Sequence, residues 1–342
     1  SGIIAAYISA DNGNNTVLID DKNSLGGSTI FQNNENFKIN NEISSIWLEK
    51  RINELKNKEN LIIKDRTSLA AYHNYNYLLA RENLADHKPL DERSNKLRQR
   101  LWKIRAKKVI LATGAIERPL IFNNNDRPGV MLANSVKKYI DFFGVRCGDK
   151  NVIFTNNDSA YETAISLNKK GIDVVIVDIR KKTSSVLAQN AKDLGIRIYW
   201  KHTVVDTKGY RRIKSIQIME MSDDSTNVIG KRINLPCDNL SISGGWTPMV
   251  HLFTQSGGKL KFRDSDQVFL PKTAMSDQIS IGSCNGDFEL DDIIKNTISD
   301  CKTFLSSKTN SFDKIKVICP KQKESKNIWL LPNDKPLGKT KP

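Results

Sequence analysis

The sequence predicts an α/β protein that contains two βαβ units, with the second inserted into the first. Residues 1–21 (SGIIAAYISADNGNNTVLIDD) indicate the first unit, because a helix of small and apolar residues is followed by a turn and a strand ending at Asp20. Residues 150–178 repeat a strand–helix–strand pattern and indicate the second unit. An apolar strand at 109–112, preceded by a basic segment, stops sharply at Gly114 and belongs to the first sheet.

The opening stretch matches the second half of a dinucleotide-binding βαβ unit. In the complete pattern, a strand is followed by G-x-G-x-x-G, a helix whose N-terminus faces the pyrophosphate, and a second strand ending in an acid about 20 residues on. Gly2 fits the last glycine, and Asp20 fits the acid that accepts hydrogen bonds from the ribose. The first strand would then lie upstream of Ser1, so the first strand is expected to be truncated. An Ala-rich helix followed by an acid-capped strand also occurs in other α/β proteins.

The order of these patterns predicts four segments. The first dinucleotide-binding domain begins the chain, a second Rossmann-like domain is inserted into it, and the chain then returns to the first domain before a Lys-rich linker toward a further domain. The predicted bounds are 1–120, 121–235, 236–310 and 311–342.

Composition excludes several classes of function. The formal charge of +15 over 342 residues is spread along the chain without a Lys/Arg stripe or interleaved aromatic residues, which argues against a nucleic-acid partner. No apolar run reaches the roughly 18 residues of a membrane span. The five cysteines and four histidines are scattered and include no CxxC pair, so no metal site is expected. A cytoplasmic, membrane-free protein fits these features.

Three short motifs carry the chemistry. In ATGAIERP (112–119), Thr113 and Gly114 end a strand with small residues where a backbone could pass close to a nucleotide. FTNNDSAYETA (154–164) stands at the phosphate turn of the second unit but contains no glycine, so that unit is expected to keep the fold without binding a dinucleotide in the usual way. In SIGSCNG (280–286), Ser283 replaces the aspartate with which two-dinucleotide-domain flavoproteins bind the flavin ribityl chain.

Four segments resemble one known family. Together they are similar to the alpha subunit of heterotetrameric sarcosine oxidase, and the resemblance extends from Ser1 to about Pro332. The segments are ATGAIERPLIFNNNDRPGVMLANSVKKY, VIFTNNDSAYETA, SISGGWTPMVHLFTQSGGKL and IGSCNG.

The resemblance implies a glutathione-reductase-like fold of FAD/NAD(P)-binding, Rossmann-type domains and an oxidoreductase acting on CH-NH donors with oxygen as acceptor. Such a complex demethylates sarcosine oxidatively to glycine and hydrogen peroxide and transfers the one-carbon unit to tetrahydrofolate. It implies NAD on this chain where the fold usually holds FAD, FMN at the interface with the beta subunit, and FAD in the beta subunit. Gamma and delta subunits complete the heterotetramer. Because the amine is oxidised on the beta subunit, no catalytic residue is expected in this chain.

The resemblance also implies a set of cofactor-binding positions in this chain. They are Ser1 and Gly2 at the end of the pyrophosphate turn; Asp20, Asp21 and Lys22 on the adenosine side; Ser28 facing the phosphates; Leu69 lining the adenine; Thr113 and Gly114 beside the cofactor; and Ser283, Cys284 and Phe288 in the closing turn and helix.

The chain differs from that family at both ends. It lacks the N-terminal region with a complete G-x-G-x-x-G and the C-terminal folate-binding domain of aminomethyltransferase type, so a central fragment is expected. Two other interpretations stay open. One is a subunit of an opine or amino-acid dehydrogenase-type flavoenzyme, although the cysteine-rich iron–sulfur segment frequent in those relatives is missing here. The other is a non-catalytic scaffold that a bound nucleotide only stabilises.

Overall fold

The fold is given by a computed structural model, which describes residues 1–32, 35–93, 96–322 and 325–335. Across these four ranges, none of the helices combines the length and the apolar character needed to cross a bilayer. In the same residues, no three His, Cys, Asp or Glu side chains are grouped so that they could hold a metal ion. All five cysteines are free, so packing and hydrogen bonds hold the described fold without a covalent cross-link.

The chain divides into two compact units. Unit 1 consists of Ser1–Ile116 and Thr247–Cys319, and unit 2 consists of Glu117–Trp246 and the segment from Pro320 onward. The chain therefore changes unit at 116/117, 246/247 and 319/320, whereas the sequence predicts domain changes at 120/121, 235/236 and 310/311. The middle difference has a clear physical reason, because the strand Asn239–Ser243 pairs inside the parallel sheet of unit 2.

The chain combines helices with both parallel and antiparallel strands. Up to the first change of unit they are α1 (Gly2–Asp11), β1 (Thr16–Ile19), β2 (Lys38–Ile39), β3 (Glu42–Ile43), α2 (Ser44–Lys56), β4 (Leu61–Lys64), β5 (Thr67–His73), β6 (Tyr77–Asn83), α3 (Leu90–Arg93), β7 (Gln99–Arg105), β8 (Val109–Leu111) and β9 (Ala115–Glu117).

The second unit and the return to the first contain the remaining elements. They are β10 (Val130–Leu132), α4 (Ala133–Asp141), β11 (Lys150–Thr155), α5 (Ser159–Lys169), β12 (Asp173–Asp178), α6 (Val186–Asp193), β13 (Arg197–Trp200), β14 (His202–Lys208), β15 (Ser215–Met221), β16 (Val228–Pro236), β17 (Asn239–Ser243), β18 (Trp246–Pro248), α7 (His251–Gln255), β19 (Lys259–Arg263), β20 (Val268–Thr273), β21 (Gln278–Ser280), α8 (Leu290–Leu305) and β22 (Val317–Ile318).

Unit 1 is built around two parallel strand pairs. β1 pairs with β4 and β8 pairs with β21, each in parallel orientation. Helix α1 packs against α8 and α2, and its small and aliphatic side chains are buried on nearly every side. The core around it includes Ile4, Ile8, Leu55 and Ile281. Because α1 begins where the parallel strands end, its N-terminus lies at the edge of the sheet at which ligands bind in folds of this type.

Antiparallel strands complete unit 1. β5, β6 and β7 form a three-stranded sheet, β19 and β20 form a hairpin, and β22 pairs with β2, which also pairs with β3. Tyr72, Leu78, Leu111 and Phe253 form a small core at the base of the three-stranded sheet. This sheet begins immediately after β4, so its first residues lie beside the end of β1.

Unit 2 contains a five-stranded parallel sheet in the order β10-β17-β11-β12-β13. Alternate residues of β11 face opposite sides: Ile153 joins the core formed with α4, α5 and α6, whereas Val152 and Phe154 join the core on the other side. The sheet therefore has both faces covered, which explains why its strands are nearly continuous apolar runs. The antiparallel meander β14-β15-β16 contributes to the second of these cores.

Candidate cofactor site

The first turn of α1 lies directly against the turn that follows β21. A Cβ atom at Gly282, where φ is +67°, would lie 2.7 Å from Ser1 Oγ and 2.8 Å from Ser1 Cβ. Glycine is therefore needed at this close approach. Gly2 is less constrained, because a Cβ there would lie 3.4 Å from the Cβ of Ala112, which is an ordinary contact. The predicted residues Ser1 and Gly2 are thus brought together with the turn at 282–285.

Asp20 is held at the end of β1 by its backbone. Its N–H donates to the Lys64 carbonyl and its own carbonyl accepts from the Thr67 N–H, both at 2.9 Å. Its carboxylate oxygen Oδ1 accepts from the Lys22 N–H at 2.9 Å. Partial burial raises the pKa of Asp20, against the opposing effect of the Lys22 hydrogen bond. A partly desolvated carboxylate at this position has the acceptor capacity that ribose hydroxyls require.

Asp21, Lys22 and Ser28 are exposed. Asp21 Oδ2 and Lys22 Nζ pair at 2.6 Å with more than half of each side chain in solvent, so this ion pair contributes little to stability. Ser28 follows Gly26, whose φ is +116° and at which a Cβ would lie only 2.4 Å from Leu48 Cδ2 on α2. Glycine therefore lets the loop carrying Ser28 cross α2 closely.

Thr113 and Gly114 form a turn that is closed by a residue the sequence reasoning missed. Thr113 Oγ1 donates to the Met249 carbonyl at 2.7 Å, and the Met249 N–H donates to the Gly114 carbonyl at 2.9 Å. Gly114 has a φ of +74°, with open space where a side chain would be. This reciprocal pair fixes the turn after β8 and leaves the glycine accessible.

Cys284 is a structural residue within the turn after β21. Its side chain is buried, and the Sγ atom lies 3.3 Å from the Leu111 carbonyl and 3.2 Å from the Ile281 carbonyl. The Ile281 N–H also donates to the Leu111 carbonyl at 2.9 Å. The thiol thus ties the turn to the end of β8, and Ser283 is carried beside it at partial exposure.

Leu69 and Phe288 are held by other contacts. Leu69, on β5, packs against the small core that includes Tyr72. The Phe288 ring lies under the Arg263 guanidinium, with 5.9 Å between the guanidinium carbon and the ring centroid. Among the described residues, no hydrogen bond or ring contact joins either of them to Asp20 or to the first turn of α1. Their assignment to the cofactor stays a prediction.

Asp287 adds a carboxylate that sequence reasoning missed. Its N–H donates to the Gly282 carbonyl at 3.3 Å, and its Oδ1 accepts from Asn296 Nδ2 at 2.9 Å. Its Oδ2 is buried and has no hydrogen-bond partner among the described residues. Burial, reinforced by two neighbouring aspartates, raises the pKa of Asp287. The sequence carried a signal for it, because Asp287 directly follows the segment 280–286 in which Ser283 stands where related flavoproteins have an aspartate.

Solved structures define the class of protein. The chain is similar to thioredoxin reductase from T. acidophilum, with a TM-score of 0.66 and 14% identity over 89% of this chain and 94% of that one. It is also similar to L-proline dehydrogenase from P. horikoshii, with a TM-score of 0.61 and 22% identity over 83% of this chain and 48% of that one. The predicted fold class is confirmed: the chain has the FAD/NAD(P)-binding, Rossmann-type flavoprotein fold.

The chain is also similar in sequence to two sarcosine oxidase alpha subunits. The chain is 33% identical over 291 residues to the sarcosine oxidase subunit alpha of Corynebacterium sp. (strain P-1), covering 84% of this chain and 30% of the relative. The same subunit from Corynebacterium sp. (strain U-96) is 31% identical over 337 residues, covering 97% of this chain and 34% of the relative. No protein-family model matches the chain. The chain is similar to these alpha subunits over most of its own length and spans about a third of their length.

Proposed function

We propose that this chain is the dinucleotide-binding part of the alpha subunit of a sarcosine-oxidising flavoenzyme complex in the cytoplasm. The complex converts sarcosine to glycine with formation of hydrogen peroxide and transfers the one-carbon unit to tetrahydrofolate. Unit 1 holds NAD, FMN lies at the interface with a beta subunit that holds FAD, and gamma and delta subunits complete the assembly. The observation that carries this proposal is the 31–33% identity to sarcosine oxidase alpha subunits over most of the chain.

In this proposal, the residues of unit 1 bind and orient the dinucleotide. The first turn of α1 offers backbone N–H groups and the positive end of the helix dipole to the pyrophosphate. Asp20 accepts hydrogen bonds from the adenosine ribose, and Gly114 lets the backbone approach the cofactor closely. The flavins of the complex supply the redox chemistry, so this chain provides binding groups rather than a catalytic acid or base.

Two geometric features support a dinucleotide in this position. The closely packed turn at Gly282 leaves no side chain between the first turn of α1 and the turn after β21. The buried, unpartnered Oδ2 of Asp287 is an acceptor that a ligand hydroxyl would satisfy. The residues therefore fit a group that combines an anionic centre with flanking hydroxyls.

The adenosine assignment is tested by replacing Asp20 with Ala in the full protein. We expect NAD⁺ affinity to fall by about 10- to 100-fold, because a hydrogen bond to a charged group contributes about 1.5–3 kcal/mol. Isothermal titration calorimetry gives the dissociation constant directly. Asp264→Ala is the matched control, since this exposed carboxylate of the same unit is not among the predicted cofactor-binding positions, and its affinity should stay within about twofold. Equal affinities for Asp20→Ala and the wild type would remove the assignment.

The activity is tested independently of the NAD site. The protein is co-expressed with a beta subunit, and hydrogen peroxide formation is measured with sarcosine, proline and an opine as alternative substrates. Sarcosine-dependent peroxide supports the oxidase. Oxidation of proline or the opine with another acceptor would instead favour the dehydrogenase interpretation, and an inactive complex that binds NAD⁺ would favour a scaffold. A failed NAD titration and a failed peroxide assay are therefore distinguishable.

A further inference from the structure

The carboxyl ends of β11 and β17 mark the centre of the ligand-binding edge of unit 2. In open parallel sheets, ligands bind outside the carboxyl ends of the strands. Asn156 directly follows β11, and Gly244 directly follows β17. We use the word strap for residues 325–334, the described part of the chain that crosses this edge.

Three hydrogen bonds join the strap to the ends of these two strands. Asn156 Nδ2 donates to the Lys326 carbonyl at 2.8 Å, and the Lys326 N–H donates to the Asn156 carbonyl at 3.0 Å. Trp329 Nε1 donates to the Gly244 carbonyl at 2.6 Å. The Asn156 side chain and the carbonyls of Asn156 and Gly244 are thus hydrogen-bonded to the chain itself.

Trp329 is the central anchor of the strap. A Cβ at Gly244 would lie 3.0 Å from Trp329 Cδ1 and 2.8 Å from the Pro119 carbonyl oxygen, so the indole ring packs directly on the glycine backbone. The Arg118 guanidinium lies over the same ring, 4.5 Å from its centroid. The neighbouring side chain of Leu330 is 60% exposed, whereas Leu331 is buried. Trp329 and Leu331 therefore face inward, and Leu330 between them faces outward.

The remainder of the strap is attached like a strand. The Ile121 N–H donates to the Trp329 carbonyl at 2.7 Å, and the Leu331 N–H donates to the Ile121 carbonyl at 3.1 Å. Leu331 is buried in the core of unit 2. Asp334 closes the far end through two hydrogen bonds from Arg232, at 2.8 and 2.6 Å.

A second internal contact fills the ribose position of unit 2. Asp178 ends β12, the place from which an acid would bind a ribose. Arg180 Nη2 instead lies 2.8 Å from Asp178 Oδ2 and 2.7 Å from Asp158 Oδ1, and the Tyr161 hydroxyl donates to Asp178 Oδ2 at 2.8 Å. Both carboxylates are fully buried. The acid is therefore enclosed by side chains of the same unit.

We propose that the strap closes the ligand-binding edge of unit 2: with the strap docked on Asn156 and Gly244 and with Asp178 paired to Arg180, this unit takes no nucleotide. The inference goes beyond the proposed function, because it concerns unit 2 and holds whether or not unit 1 binds NAD. The segment 154–164, which begins at the end of β11, contains no glycine, and the docked strap lies at this edge of unit 2 instead.

The test compares Trp329→Ala with Leu330→Ala in the full protein. Trypsin cleavage after Lys326 reports strap release, because that bond lies inside the docked segment. We expect cleavage to be at least about tenfold faster in Trp329→Ala, the factor for loss of one hydrogen bond and one cation–π contact. Leu330→Ala, its outward-facing neighbour, should match the wild type. Asn156→Ala is a second test that does not depend on the folding of Trp329→Ala. Of the three hydrogen bonds between the strap and the strand ends, it removes only the one to the Lys326 carbonyl, and it should accelerate cleavage about fivefold.

Nucleotide exclusion is measured by hydrogen exchange with ADP as the probe, because ADP carries both a pyrophosphate and a ribose. On addition of millimolar ADP, residues 150–158 of the wild type and of Leu330→Ala should gain no protection beyond that of the sheet itself. Added protection of this segment in the wild type would overturn the proposal, since the edge would then be open. Equal cleavage rates in Asn156→Ala, Leu330→Ala and the wild type would overturn it as well.

Discussion

Replacing Glu117 with Gln should remove the loss of stability that unit 2 suffers when this carboxyl ionises. Glu117 is 5% exposed, and its Oε2 accepts from the Asn134 N–H at 2.8 Å. Burial raises the pKa of this carboxyl from 4.5 to about 7, although hydrogen bonds from Ser243 and Asn134 oppose the shift. The folded protein therefore binds a proton that the unfolded chain has already released between these two values.

The sign and size of the effect follow from linkage. Because the folded-state pKa is raised, the associated stability is fully present below about pH 4.5 and is lost as the pH rises through about 7. A shift of about 2.5 pKa units corresponds to about 3 kcal/mol. Gln keeps an acceptor for the Asn134 N–H but carries no charge. Relative to the wild type, Glu117→Gln should thus gain about 3 kcal/mol near pH 8 and almost nothing near pH 4.

Pulse proteolysis in urea measures this difference, with fragments of unit 2 quantified by mass spectrometry at each pH. A unit-specific readout is needed because a chain of two compact units does not unfold in one step. Glu220→Gln is the control, because this half-exposed carboxylate in the same unit pairs with Lys201 at 3.2 Å. Its effect should stay within about 1 kcal/mol without a step near pH 7. A pH-independent difference for Glu117→Gln would refute the reasoning.

Two further substitutions test packing in each unit. Gly26→Ala should lower the free energy of unfolding by about 1–3 kcal/mol, because its Cβ would lie 2.4 Å from a side-chain carbon of α2. Gly27→Ala has open space around it and should lower the free energy of unfolding by only about 1 kcal/mol. Pulse proteolysis in urea, read from fragments of unit 1, compares the two variants, and equal losses would contradict the steric argument. Arg180→Met should lower the stability of unit 2 by about 3–5 kcal/mol, because it leaves Asp158 and Asp178 buried without their cation; a loss below about 1 kcal/mol by pulse proteolysis would contradict this.

The elements with uninterrupted apolar runs could be predicted from sequence. Strand β11 occupies residues 150–155 and β12 occupies 173–178, as expected, because polar residues bound continuous runs of β-branched side chains. The first helix, predicted within residues 1–21, spans Gly2–Asp11. Periodicity does not reveal which parallel strands are neighbours, however. Strand β17 therefore lies in the sheet of unit 2 although its sequence position suggested a return to the first domain.

The candidate site shows the same division between local and long-range information. Asp20 could be found because the distance from the glycine turn to the acid is a local property of a helix and a strand. The closure of the Thr113–Gly114 turn by Met249 could not be found, since the partners are 136 residues apart in sequence. Asp287 was missed for a different reason: the Gly-Asp dipeptide was present, but it stands later in the turn than the Gly-Ser at 282–283.

The contact between Gly244 and Trp329 carries a consequence for the divergence of related proteins. A mutation that adds a side chain at 244 would collide both with the indole and with the rigid Pro119 carbonyl, so shrinking residue 329 alone could not restore the fit. Lineages should therefore keep glycine at position 244 whether or not residue 329 stays aromatic.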